Sequence, residues 1–319
     1  MRLRRRLALG IFANAVGLFA NIVDAFPVLL NPTTTQSRSV PFILLFESGS
    51  GSSWLIKELA ALPQFCVVLF EPIDNSSLTT AADHFARLRW LEQLWTPPQP
   101  AEAFAWPTWR ARMEAASVFG QLPLVKESLN RCGAGSIAFG LKARLSRLLN
   151  RRAAVDGLRV LLARYGVRVL RLGRRNRIKQ ALTEYRRLNQ GLGHFKAASG
   201  GAVGATEVEP KMFARALVEV ERSHRLANQV LSMLSPGQPV LNISYEELLH
   251  EHAEATARVH SFLGVSSGVG ANKKAAYVKA TPDRLACAVA NYAELCREYE
   301  SGPYKAWFED GCAARCESS

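Results

Sequence analysis

The chain is short of acid. Its 27 Asp and Glu stand against 40 Lys and Arg, a formal net charge of +13 over 319 residues. Such a surplus suits a polyanionic partner: a nucleotide, a sulfated or acidic glycan, or nucleic acid. What would select nucleic acid is missing. The basic residues run through segments such as Lys142 to Arg152 with no interleaved aromatics, and no nucleic-acid motif occurs, so that partner is set aside. Metal ligands are also missing, since Cys312 and Cys316 have the spacing of one zinc half-site but no second pair of Cys or His completes it. Two common nucleotide signatures fail as well. No Lys closes a G-x-x-x-x-G-K-[ST], and no third glycine closes a G-x-G-x-x-G, which disfavours a phosphate loop of the ATPase or Rossmann kind. No internal repeat is evident.

What is present begins with an address. MRLRRR is a positive cluster and Leu7 to Phe26 a mostly apolar run, together a secretory signal or a membrane anchor. The arginines would hold the N-terminus in the cytosol and the bulk of the chain in the lumen. Asn14, Asn21 and Asp24 weaken a stable span and VDA before Phe26 offers a cleavage site, so anchor and cleaved signal both stand, with a soluble amphipathic helix as the plainer alternative. Residues 1–30 are read as this segment, 31–40 as a turn-rich linker and 41–319 as one domain. At 48% hydrophobic content the chain can bury a full core. Six cysteines fit an oxidising lumen, with one disulfide expected near the C-terminus among Cys296, Cys312 and Cys316.

The densest signal is Pro41 to Leu55. Ile43 to Phe46 read as a buried parallel strand. Gly49 and Gly51 then permit backbone conformations and close approaches closed to other residues. Ser50, Ser52 and Ser53 add hydroxyls beside amides that face the start of a helix, Trp54 to Leu62. A phosphate placed there would meet unpaired donors and the positive end of the helix dipole. An ordinary strand-to-helix turn would look much the same.

Further strands are read at FCVVLF, ending at Glu71, at VRVLRL (167–172) and at 240–244. Helices are read at 77–95, 136–149, 177–192, 212–234 and 245–263, and Gly191 to Glu209 as a loop. Strands alternating with helices predict an α/β fold, a three-layer sandwich with a central parallel sheet flanked by helices. Two later segments bear chemistry. Arg175 to Thr183, RNRIKQALT, follows a strand directly, and an Arg fork beside a helix-borne hydroxyl suits phosphate oxygens; a solvated helix start is the plain alternative. VLNISYEELL, followed by VHSFLGV, reads as a strand and a helix; the plain alternative is an ordinary amphipathic helix in which Tyr245 and Glu246 serve structure alone.

Taken in this order, SGSSW, RRN-x-x-K-Q-A-x-T and YEEL-FLG resemble the sulfotransferases that use 3′-phosphoadenosine 5′-phosphosulfate (PAPS), most nearly the carbohydrate branch. With FGLK at 139–142, TPDRL and NYAEL, the resemblance spans about residues 41–308. It implies a P-loop-like sulfotransferase fold and the transfer of a sulfonate from PAPS to a hydroxyl, on a glycan. It also implies a Golgi or secretory lumen, as a type II membrane protein or after signal cleavage. Gly49, Ser50, Gly51, Ser52, Ser53 and Trp54 would then hold the phosphosulfate end. Arg175 and Thr183, eight positions apart, would hold the 3′-phosphate. Glu71, at a strand end some twenty residues after the loop, would be the general base, with His84 and His194 as alternatives. The chain departs from the pattern at Gly49, where relatives carry Lys or Arg beside the sulfonate; Lys57 or Lys142 could replace that cation. The departure keeps open a non-catalytic nucleotide- or glycan-binding descendant, and a small-molecule kinase is the other rival.

Overall fold

A computed structural model describes residues 39–68, 81–98, 102, 105–115, 123–144, 152–189, 204–234, 237–266, 282, 284–308 and 311–316. Glu71, His194 and the apolar run Leu7 to Phe26 lie outside the described residues, as does most of the 191–209 loop; of His84 only the backbone is described. Among the described residues no helix is long and apolar enough to cross a membrane.

Among the described residues five parallel strands form one sheet: β1 Val40–Phe46, β2 Phe65–Val68, β3 Ala138–Arg144, β4 Arg168–Gly173 and β5 Val240–Ser244, in the order β2-β3-β1-β4-β5. Around them lie α1 Ser52–Ala60, α2 Ala81–Leu94, α3 Ala105–Ala115, α4 Pro123–Asn130, α5 Arg152–Tyr165, α6 Arg177–Asn189, α7 Pro210–Leu234, α8 Tyr245–His250, α9 His252–Phe262, α10 Leu285–Ala288 and α11 Tyr292–Tyr299. The α/β sandwich expected from the sequence is the fold observed.

β1 shows why it is central. Six of its seven residues are buried, and they alternate between two cores. Ile43 and Leu45 face a cluster with Trp90, Met113, Leu158 and Val230 of α2, α3, α5 and α7. Phe42, Leu44 and Phe46 face Leu55, Ile56, Leu248 and Val259 of α1, α8 and α9. A period of two with apolar residues in both phases is what a strand covered on both faces requires. Each fully buried Leu, Ile or Phe contributes roughly 1.5–3 kcal/mol of transfer free energy.

Three readings are corrected. Residues 136–149 do not form a helix throughout: Ala138–Arg144 is β3, a strand paired on both sides, and residues 145–149 lie outside the described part. Gly140 explains the placement, because a Cβ there would stand 2.5 Å from the Phe42 ring of the neighbouring strand. The 245–263 helix is two, broken at Glu251, whose ψ of 38° leaves the helical region. The C-terminus holds two nested disulfides, Cys287–Cys316 enclosing Cys296–Cys312, and a third, Cys66–Cys132, ties β2 to the residues before β3. All six cysteines are paired.

Candidate anion-binding site

β1 lies between β3 and β4, and the chain leaves it toward opposite halves of the sheet: through α1 to β2 on the far side of β3, and later to β4 on the other flank. Such a switch point opens a crevice at the C-terminal strand ends. Residues 47–51 occupy that crevice. Gly49 and Gly51 have φ of 73° and 82°, the left-handed region that favours glycine. Gly51 also lies under an aromatic ring, since a Cβ there would meet Tyr245 Cδ2 at 2.6 Å. Helix α1 starts at once, with the Trp54 and Leu55 amides donating to the Gly51 carbonyl at 2.9 and 3.2 Å. The amides of Ser52 and Ser53 precede the first intrahelical bonds and stand at the positive end of the dipole. Ser50 Oγ is buried without a hydrogen-bond partner among the described residues, a donor that an oxyanion would satisfy.

Two cations flank the loop from opposite strands. Lys142 of β3 donates from Nζ to Ser53 Oγ at 3.1 Å, its ammonium 5.1 Å from the Phe46 ring centroid, with only 6% of the residue exposed. Lys57 instead lies on the exposed side of α1. After β4, Arg174 donates from Nη1 to the Gly49 carbonyl at 3.2 Å and to Thr183 Oγ1 at 3.4 Å, and its guanidinium covers the Tyr245 ring at 4.6 Å. Thr183 donates its own hydroxyl proton to the Lys179 carbonyl, so Oγ1 presents lone pairs to Arg174.

Arg175, the residue expected beside Thr183, points elsewhere. Its side chain is 63% exposed and 3.3 Å from Glu247, while its amide donates to Glu246 at 2.9 Å. Glu246 also accepts the Asn176 amide at 3.1 Å, and the Asn176 side chain caps α6 through the Lys179 amide. Glu247 closes a capping box with Ser244 and meets Arg258 at 3.0 Å. Burial would raise the Glu247 carboxyl, but hydrogen bonds from Ser244 and Arg258 and the charge of Arg175 outweigh it and hold the group at about 2. YEEL is thus the clamp that fixes the β4–α6 turn and roofs the loop. Burial raises the Tyr245 phenol, which stays neutral over Gly51.

Trp54 packs edge-on to Tyr245 at 6.2 Å, stacks on His252 at 5.5 Å and donates Nε1 to Glu58 at 2.7 Å. On the other rim, Ser48 Oγ donates to Glu184 at 3.2 Å. Burial would raise the Glu184 carboxyl, and Arg187 together with Ser48 and Arg144 brings it below its ordinary value. The loop residues, Trp54 and Thr183 are therefore brought together and Arg175 is not. The sequence did carry a signal for Arg174, the paired arginines of GRRN, but spacing alone does not tell which one turns inward. Among the described residues no cluster of His, Cys, Asp and Glu could hold a metal ion.

No family model and no curated protein matches the chain. Solved structures similar to it include a sulfotransferase from Alicyclobacillus acidocaldarius, at 15% identity over 85% of this chain and 95% of that one with a TM-score of 0.42. The sulfotransferase domain of the Synechococcus PCC 7002 olefin synthase is similar at 15% identity, 90% and 92% coverage and a TM-score of 0.37. A sulfotransferase domain from the curacin biosynthetic pathway is similar at 16% identity, 72% and 75% coverage and a TM-score of 0.37.

Proposed function

We propose that the protein is a PAPS-dependent sulfotransferase acting on a hydroxyl, of the carbohydrate kind that its RRN-x-x-K-Q-A-x-T and YEEL segments resemble. The observation that carries the reading is the glycine-serine loop held between Lys142 on one strand and Arg174 with Thr183 on the other. A donor with phosphates at two ends needs two anion subsites, and the crevice has a cation on each side of β1. The amides and hydroxyls of Ser50 to Ser53 would take the phosphosulfate end. Arg174 with Thr183, in place of Arg175, would take the 3′-phosphate.

PAPS, when bound, supplies the sulfonate. Lys142 replaces the cation absent at Gly49, its ammonium fixed beside Ser53 where negative charge builds during transfer. That placement favours an active transferase over a non-catalytic descendant. Glu71 follows β2 by three residues in sequence and is proposed as the base that would accept the acceptor hydroxyl's proton as the new O–S bond forms and the S–O bond to the 5′-phosphate breaks, with 3′-phosphoadenosine 5′-phosphate as the leaving group. The three disulfides support an oxidising lumen, which we place in the secretory pathway, reached through residues 1–30 as anchor or cleaved signal.

The test is thermal shift with 3′-phosphoadenosine 5′-phosphate, adenosine 5′-phosphate and ATP, followed by transfer of labelled sulfonate from PAPS to a glycan panel. Stabilisation by the 3′-phosphorylated nucleotide above the others, with labelled product lost in Glu71→Gln, is the expected result. Stabilisation by ATP alone would assign the site to a kinase, and nucleotide binding without product would assign it to a binding protein.

A further inference from the structure

Beneath the loop lies a polar group that the proposed chemistry does not use. β1 ends in Glu47, 0% exposed, with its carboxylate 2.6 Å from Nε2 of His224 on α7, itself 5% exposed. The same Nε2 is 2.8 Å from Oε1 of Gln180 on α6, which is 1% exposed. Nε2 faces the acceptors Glu47 Oε2 and Gln180 Oε1 and also the Nη1 donor of Arg177; when protonated it donates to Gln180 Oε1. That contact orients the Gln180 amide, whose Nε2 then donates to the Ser48 carbonyl at 2.7 Å. Arg177 touches His224 and donates to the Arg174 carbonyl at 2.8 Å, and Arg171 lies 3.9 Å from Glu47.

Packing alone does not call for this arrangement. Burying a carboxylate and its partners costs more than an apolar cluster of equal volume would. The cluster also reaches outward at two points that matter to the site, the Ser48 carbonyl in the loop and the Arg174 carbonyl in the turn. A trans peptide is planar with its C=O and N–H antiparallel. Drawing the Ser48 carbonyl toward Gln180 therefore aims the Gly49 amide the opposite way, out of the core and into the crevice.

We infer that Glu47, His224 and Gln180 form a buried relay that positions the anion-binding loop: His224 sets the Gln180 amide, and Gln180 sets the Ser48–Gly49 peptide. These are positioning residues. The inference rests on the nucleotide reading above for its kinetic consequence but not for its structural one, and the experiment separates the two. In the full chain, Gln180→Met keeps the volume and removes the donor. The expected result is a rise of about tenfold in the KM for PAPS with kcat changed by less than about threefold, since a merely structural loss would lower the folded fraction and leave KM alone. Hydrogen exchange of the peptide covering residues 48–54, measured without nucleotide, should accelerate at least tenfold while exchange in β1 is unchanged. Should Gln180→Met fail to fold, Gln180→Asn, which keeps an amide one methylene short, gives the same two readouts. Unchanged KM together with unchanged loop exchange would overturn the relay. If the wild-type chain binds no 3′-phosphorylated nucleotide the functional reading falls, and the exchange rates alone still decide the inference.

Discussion

Gly51→Ala is the sharpest perturbation the site offers, because two separate costs meet at one atom. The residue sits at φ 82°, where a non-glycine residue costs about 1–2 kcal/mol. The added methyl would also stand 2.6 Å from Tyr245 Cδ2 and 3.1 Å from Cε2, so the ring must move. That ring carries the Arg174 guanidinium at 4.6 Å and the Trp54 edge at 6.2 Å, contacts worth about 0.5–1.5 kcal/mol each. The sum is about 2–5 kcal/mol, equivalent to a fall in Tm of about 4–10 °C at about 2 °C per kcal/mol for a domain of this size. Urea unfolding of Gly51→Ala, Tyr245→Ala and the double variant, monitored by Trp fluorescence, tests the cause as well as the size. With the ring gone only the backbone cost remains, so the double variant should show a favourable coupling of about 1–3 kcal/mol. Strictly additive losses would refute the claim that the ring and the glycine share one space.

The remaining predictions probe charge. Lys142→Met should lower sulfonate transfer by about 100- to 1,000-fold with little change in affinity for 3′-phosphoadenosine 5′-phosphate, and an undiminished rate would remove Lys142 from the reaction. Gly49→Arg should not raise turnover, because its φ of 73° and a Cβ only 3.2 Å from Thr183 Cγ2 oppose any side chain there; faster transfer in that variant would contradict the reading. By calorimetry, Arg174→Ala should weaken the 3′-phosphorylated nucleotide about 10- to 100-fold while Arg175→Ala, an exposed ion pair, changes it less than about threefold, and the reverse ranking would restore Arg175 to the site. Glu247, held at about 2 in the fold, adds stability that is complete above its unfolded value near pH 4.5 and is lost as pH falls toward 2. After solvent screening this amounts to about 1–2 kcal/mol, so acid unfolding of Glu247→Gln should begin from a less stable state and show a shallower limb.

The sequence was most legible where one physical demand dominates. β1 is an apolar run bounded by turn residues, and a strand buried on both faces admits little else. β3 was misread because Lys142 and Arg144 look like the solvated face of a helix. Only the fold shows that the lysine tail lies over Phe46 with its ammonium on the loop. The loop itself was readable from Gly49 and Gly51, whose conformations are local. Which of two adjacent arginines enters the crevice was not, for that is decided by Glu246 and Glu247, some seventy residues away, which hold Arg175 outward. Cys66–Cys132 was hidden for the same reason, its partners being 66 residues apart.

That bond bears on how the chain finds its fold. Every pair of neighbouring strands joins distant segments: Val40 meets Ala138, Phe42 meets Arg168, Phe65 meets Ala138 and Val169 meets Val240. A topology of this kind folds slowly, since each pairing must close a long loop before any contact rewards it. Once Cys66 is joined to Cys132, Phe65 and Ala138 are separated by a path of about seven residues through the sulfurs, which lowers the closure cost by about 2 kcal/mol. The disulfide acts as a shortcut that brings one flank of the sheet together early. β1 must still acquire β3 on one side and β4 on the other, and the crevice exists only once both pairings are made.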